Sequence, residues 1–239
     1  MTIKVKIGTC GFRTTKEEYA RQLAAVEVQH TFYQPPQIKT LTRWRETVPA
    51  DFEFALKAWQ LITHEAKSPT FKRLKKSLTE TEREEAGYFK PTAIVKEAWA
   101  TTLDCAKALR AKTILFQCPA SFKQNTENIS NLENFFSAIK HGKLNFCWEP
   151  RGAWDDRVVK DICDRYNLWQ VVDPFKKITV TPNECYYRLH GMTGWRYKYE
   201  AGELEELISL LPKNKQSYVF FNNIEMTEDA LRFQEIVKD

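Results

Sequence analysis

The sequence predicts an α/β protein of the TIM-type (β/α)8 barrel class, and three observations point there. Eight short apolar runs recur along the chain, each closing on a polar residue or a turn. Helix-like segments or loops separate them, which implies parallel pairing through right-handed crossovers. The length of 239 residues suits eight such repeats, because a barrel of this kind needs about 250. One barrel domain over residues 1–239 is the expectation.

The first run, IKVKIGTC, occupies residues 3–10. Thr15 and Glu18 have capping-box spacing and open a predicted helix over 16–25. The second run, VEVQHTFY, covers 26–33; Pro35 and Pro36 end its loop, and a helix follows to Glu46. EFALKA at 53–58 is the third strand. The crossover after it, 59–112, is more than twice the usual length and contains a helical period over 92–110. It also carries the basic cluster KRLKK at 72–76 and the acidic stretch ETEREE at 80–85. This insertion is expected either to wall or cover the strand-end face, or to run as a solvated helical excursion. TILFQC at 113–118 and LNFCWE at 144–149 are strands four and five, with helices over 128–140 and 155–166. LWQVVD at 168–173 is the sixth. The crossover at 174–184 is too short for a helix with loops, so the barrel is expected to be irregular there. CYYRLHG at 185–191 and SYVFFNN at 217–223 complete the set, with helices over 203–211 and 227–237.

Hydrophobic residues at 43% and charged residues at 28% describe a globular chain. No apolar run approaches the roughly 20 residues that span a bilayer. The N-terminal residues lack the apolar core of a signal peptide, so the expected location is cytoplasmic, with no membrane partner. A net charge of +5 is compatible with an anionic ligand. None of the six cysteines forms a CxxC pair, and buried, reduced thiols are expected. Cys10, beside Gly11 at a strand end, is the thiol that a cationic neighbour would make reactive.

Side chains alternate across a strand, and in a parallel barrel the outward row packs on helices. Val26 and Val28, Phe54 and Leu56, Phe146 and Trp148, and Tyr187 and Leu189 form that outer row. Glu27, Gln29, Thr31, Lys57, Cys147, Glu149, Asp173, Tyr186, Arg188 and His190 then face inward. His30 has outward parity and is expected to be structural. Buried charges cost several kcal/mol each unless paired, so the inward set must interlock. Glu27, deep in its strand, is expected to balance a cation. Glu149, Asp173, Arg188 and His190 lie at strand ends, where barrels hold their ligands. His30, His64, Glu149, Asp173 and His190 are metal-ligand types, but no HxH or HExxH pair is present, so a divalent metal is a possibility without a motif. After the seventh strand comes GMTGWRYKY at 191–199. Gly191 and Gly194 permit close backbone approach to an anion, with Arg188 and Arg196 beside them. Trp195 and its aromatic neighbours suit stacking on a base or sugar, or else pack on the barrel mouth.

Seven motifs occur in fixed order: IGTCGF, VEVQHTFYQPP, FALKAWQLITH, WEPRGAW, VVDPF, YYRLHG and YVFFNN. Together they resemble the YecE-like family, domain of unknown function family 72, over residues 3–223. The resemblance implies a TIM-type barrel and supplies no activity. It implies shared polar positions at Glu27, Thr31, Tyr33, Lys57, His64, Glu149, Arg151, Asp173, Arg188, His190, Gly191, Asn222 and Asn223. Cys10 and Phe12 depart from the Ser and Trp common in the first motif.

Two function classes follow. The first is an enzyme, a hydrolase or isomerase, acting on a small anionic, phosphorylated or sugar-like ligand. Glu149, Asp173 and His190 would be catalytic, with Lys57, His64, Arg151, Arg188, Gly191, Gly194, Trp195, Arg196, Asn222 and Asn223 binding substrate. The alternative is a nucleic-acid-binding protein or a metal-assisted phosphodiesterase, motivated by the basic cluster at 72–76 and the aromatic-basic loop at 195–199.

Overall fold

The computed structural model describes residues 4–213 and 215–238. Its strands are β1 (Lys4–Thr9), β2 (Ala25–Val28), β3 (Glu53–Lys57), β4 (Thr113–Gln117), β5 (Asn145–Glu149), β6 (Leu168–Val172), β7 (Tyr186–Leu189) and β8 (Gln216–Phe221). They pair in that order and close into a barrel, with β8 returning to β1 in parallel. Each falls on a predicted run; Ile3, which begins the first run, lies outside the described residues.

The helices are α1 (Lys16–Gln22), α2 (His30–Tyr33), α3 (Ile38–Glu46), α4 (Gln60–Thr63), α5 (Glu80–Glu85), α6 (Ala93–Leu109), α7 (Thr126–Ala138), α8 (Asp156–Tyr166), α9 (Ala201–Ser209) and α10 (Met226–Lys238). α6 buries Ile94, Val95, Ala98, Thr102, Cys105, Ala106 and Leu109, a spacing of three or four that keeps one stripe against the barrel. Thr15 accepts from the Glu18 backbone N–H at the start of α1, and Thr79 with Glu82 makes a full capping box at α5.

Three local outcomes differ from, or refine, the sequence expectations. The second run turns helical at His30, because the Thr31 hydroxyl donates to Val28 O at 3.2 Å and to Lys57 O at 2.7 Å. His30 is therefore exposed at the start of α2 instead of occupying an outward strand position. The long third crossover is both wall and excursion. Its 3-10 turn (Pro69–Arg73) brings the Arg73 guanidinium 3.5 Å over the Tyr33 ring. Gln34 Oε1 accepts from the Lys75 and Lys76 backbone N–H groups, while Lys76 Nζ faces outward to Glu97 at 2.7 Å. The sixth crossover carries no helix among its described residues. It is tied to β6 by Val180 N–H donating to Gln170 Oε1 at 2.7 Å and by Gln170 N–H donating to the Thr181 hydroxyl at 3.0 Å.

The predicted alternation holds. Val26, Val28, Phe54, Leu56, Phe146, Trp148, Tyr187 and Leu189 join the apolar layer between sheet and helices. Ala25, Ala55, Leu115, Cys147, Val171, Tyr186, Tyr218 and Phe220 form a second, smaller cluster inside the barrel. That inner cluster is the floor on which the polar side chains of the strand ends rest.

Candidate functional site

Above the apolar floor, five strands each deliver one buried polar side chain: Glu27 from β2, Lys57 from β3, Gln117 from β4, Glu149 from β5 and Arg188 from β7. Arg188, 1% exposed, is the hub. Its Nε and Nη2 donate to the two oxygens of Glu27 at 3.0 and 2.9 Å, and Nη1 donates to Glu149 Oε2 at 2.7 Å. The Tyr186 hydroxyl adds a bond of 2.6 Å to Glu27 Oε2. Glu149 also accepts from Gln117 Nε2 at 3.0 and 3.1 Å and from Arg151 Nε at 2.7 Å. Burial, the largest single influence, would raise both carboxyl pKa values, but Arg188 and the neighbouring cations and hydrogen-bond donors together outweigh it and hold both below the usual carboxylate range. Arg151 assists at Glu149 and Lys57 at Glu27. The same pairs raise Arg188 against its own burial. Cys10 lies 3.6 Å from Arg188 Nη2, yet burial and then Glu27 push its thiol up, which keeps it protonated.

Asp173 lies at the end of β6. Its Oδ2 accepts from the His190 backbone N–H at 3.1 Å and its Oδ1 from Phe175 N–H at 3.2 Å. His190 Nε2 faces Arg151 Nη2 at 3.0 Å and Arg188 Nη1 at 3.4 Å. A guanidinium has only donors, so Nε2 supplies the lone pair and the ring proton belongs on Nδ1, 3.8 Å from Asp173 Oδ2. Glu149, Asp173, Arg188 and His190 thus converge on one mouth. Glu149 has its lone pairs committed to cations and to an amide, an environment that fits a counter-ion better than a proton acceptor.

A cavity of about 600 Å³ opens over this layer. Its wall includes Arg13, Arg73, Arg151, Arg188, Lys57 and the two histidines His30 and His190, and no aspartate or glutamate among the described residues. Gln117, Asn222, Asn223 and the rim aromatics Tyr33 and Trp195 also line it. Glu149 and Asp173 instead line an adjoining cavity of about 470 Å³, together with Lys176 and Lys177, and Arg151 and His190 border both.

The other expected positions divide. His64 is buried outside the cavity wall, its Nδ1 2.8 Å from the Thr63 hydroxyl and its ring against Phe32. Burial, then Lys57 and Arg151, pull its pKa down to about 3. Gly191 N–H donates to the Tyr199 hydroxyl at 2.8 Å and Gly194 N–H to Gly191 O at 3.4 Å, so both are spent within the loop. Arg196 stacks on Trp195, 4.6 Å from its centroid, and is not part of the cavity wall. Asn223 Nδ2 donates to Asp229 Oδ2 at 2.6 Å and to Tyr197 O at 2.8 Å, which anchors the loop to α10. Neither Gly191 nor Gly194 is part of the cavity wall. Arg13, Arg73, Gln29 and Gln117 were absent from the sequence-derived site. Their available signal was position: Arg13 just past the first strand, Arg73 in the basic cluster of the insertion, Gln29 and Gln117 at strand ends.

Among the described residues no three His, Cys, Asp or Glu side chains converge as a metal would require. Of the carboxylates that would contribute, Glu149 is bonded to Arg151 and Arg188, and Asp173 accepts from the His190 and Phe175 backbone N–H groups.

Comparison with known proteins places this geometry in context. A family model described as "Protein of unknown function DUF72" matches residues 11–239. The UPF0759 protein YecE of Escherichia coli (strain K12) is 42% identical over 53 residues, which is 22% of this chain and 20% of that protein. A DUF72 family protein from Enterococcus faecalis V583 superposes with a TM-score of 0.74 at 23% identity, covering 99% of this chain and 98% of that one. More distant barrels share the fold alone. D-psicose 3-epimerase has a TM-score of 0.57 at 10% identity, covering 93% and 91% of the two chains. Endonuclease IV from Thermus thermophilus has 0.55 at 8%, covering 99% and 98%.

Proposed function

The chain belongs to the DUF72 family, and on that premise we propose that its barrel mouth binds a small anionic, phosphorylated or sugar-like ligand and acts on it as a hydrolase or isomerase. One observation carries this reading: the strand-end cavity is lined by four arginines and a lysine with no facing carboxylate among the described residues. Arg188 is locked by Glu27 and Glu149, so it meets a ligand without reorganising. Arg151, held through its Nε by Glu149 and at 42% side-chain exposure, keeps part of its guanidinium accessible to an anion. His190, oriented by Asp173 and part of the cavity wall, is the candidate acid–base group, and an anion that draws Arg151 away would release its Nε2. Glu149 serves by fixing the two arginines.

The test is thermal denaturation of the full chain with inorganic phosphate, sugar phosphates and the parent sugars, at matched ionic strength. A ligand at about 100 times its Kd adds roughly 2.7 kcal/mol, which is about 5–10 °C for a chain of this size. Phosphate should raise the melting temperature, and Arg151→Ala should weaken phosphate affinity at least about tenfold, which about halves the shift at the same phosphate concentration. A wild-type melt that no anion moves would sink the reading.

A nucleic-acid strand is the second reading, favoured by Trp195, which is 57% exposed and lines the same cavity as the Arg73–Tyr33 stack. Part of the basic cluster is offset, since Lys76 pairs with Glu97 and Glu82. Oligonucleotide binding across a salt series separates the two, because phosphate-led strand binding must fall steeply with salt. The metal-assisted form of this reading lacks a convergent ligand set among the described residues.

A further inference from the structure

Lys57 is set apart from the other cations of the mouth. Its side chain is nearly enclosed, at 4% exposure, yet it forms part of the cavity wall. Among the described residues no carboxylate lies within ion-pair distance of its Nζ. Glu27 and Glu149, the two nearby acids, are taken by Arg188 and Arg151. Nζ has one hydrogen bond, to Gln117 Oε1, and the Phe32 ring centroid lies 4.0 Å away. Gln117 is itself fixed, because its Nε2 is spent on both oxygens of Glu149. An ammonium in this position would be buried without a counter-ion, which favours the neutral amine. One N–H on Gln117 then leaves the nitrogen lone pair unengaged.

We infer that Lys57 is a nucleophilic amine that condenses with the carbonyl group of an aldehyde or ketone ligand held in the cavity. The Nζ lone pair attacks the carbonyl carbon and a C–N bond forms. The carbonyl oxygen takes up a proton, the carbinolamine loses water, and an imine results. Amine plus carbonyl gives imine plus water, with no change of oxidation state. An iminium at this point draws electrons from the bond next to the former carbonyl, the chemistry of enzymes that exchange a proton or cleave a bond there. The arginines would hold the anionic end of the same molecule; only that part rests on the anionic-ligand reading. Burial, then Arg188, lower the Lys57 pKa to about 7, against Glu27 and Glu149, with Arg151 lowering it further. The groups that face Nζ are therefore Glu27 on β2, His64 after α4, Gln117 on β4, Glu149 and Arg151 at the end of β5, and Arg188 on β7.

The experiment treats the full chain with glycolaldehyde phosphate, and separately with neutral glycolaldehyde, in the presence of cyanoborohydride, which reduces any imine to a stable amine. Intact mass and peptide mapping locate the adduct. The expected result is one fast adduct on Lys57, at least about tenfold ahead of the exposed lysines. Its rate should rise with pH through a midpoint near 7, the value set by the enclosed site. Lys57→Met should lose the fast adduct, and mapping of the wild type carries the test even if that variant fails to fold. If neutral glycolaldehyde labels Lys57 while phosphate leaves the melt unchanged, the amine stands and the anionic-ligand reading falls. If phosphate raises the melt but neither probe labels Lys57 ahead of the surface lysines, the amine proposal is overturned.

Discussion

Glu149 and Lys57 share Gln117 as a neighbour and respond to protons in opposite ways. Replacing Glu149 by Gln leaves Arg188 and Arg151 without one of their counter-charges in a buried layer. The variant should be about 3 kcal/mol less stable at pH 7 by urea denaturation. The sign with pH follows from its lowered carboxyl pKa. Its contribution is full above the ordinary carboxylate value of 4.5 and is lost as pH falls toward the folded value. The stability gap between wild type and Glu149→Gln should therefore narrow in acid; a gap constant down to about pH 3 would show that the carboxyl is not held low. For Lys57 the folded chain releases a proton near 7 that the unfolded chain keeps until 10.5. Below the folded value the cost of enclosing the charge is fully present, and it is relieved as pH rises toward the unfolded value. Relative to wild type, Lys57→Met should be most stable near neutrality and lose that advantage steadily toward pH 10. An advantage flat across that range would mean that Lys57 keeps its proton.

The loop between β7 and α9 shows how an element constrains its glycines. Gly191 has φ of 84°, and a Cβ there would lie 2.2 Å from Gly194 O. Gly194 has φ of 125° with open space around it. Gly191→Ala should cost about 2–3 kcal/mol or displace the loop, while Gly194→Ala should cost about 1 kcal/mol, from backbone strain only. Equal losses in thermal melts would mean that the Gly191 contact relaxes. This loop also marks where the sequence stopped being readable. Glycine spacing suggested backbone N–H groups aimed at an anion, but the Tyr199 hydroxyl comes from eight residues on to take one of them, and no local pattern announces that. Strands and most helices were readable because an apolar outer row and period-two alternation are forced on any parallel barrel. The same parity found Glu149, Arg188 and His190. α2 was hidden because His-Thr-Phe-Tyr has strand propensity, and the Thr31 bond to Lys57 O that turns it helical is a tertiary contact. Arg13 and Arg73 sit in loops whose paths only the folded barrel defines.

At the scale of the whole molecule, the chain carries a net charge of +5, and four arginines and a lysine line the strand-end cavity. Phosphate binding should weaken as sodium chloride is added, more so for exposed Arg151 than for enclosed Arg188. A melt shift independent of salt would place the anion away from the mouth. Closure of the barrel has a consequence in time. Glu27 and Arg188 are 161 residues apart in sequence. A ribosome adding about 5–20 residues per second needs on the order of ten to thirty seconds to cover that distance. Throughout that interval the glutamate lacks the guanidinium that engages both its oxygens, and leaving water without it would cost several kcal/mol. The early strands are thereby kept from sealing around a charge that has Lys57 nearby but lacks its main partner. A nascent chain halted before β7 should remain open to protease, and resistance should appear abruptly once β7 and β8 have emerged, so that the unpaired acid acts as a timer against premature closure.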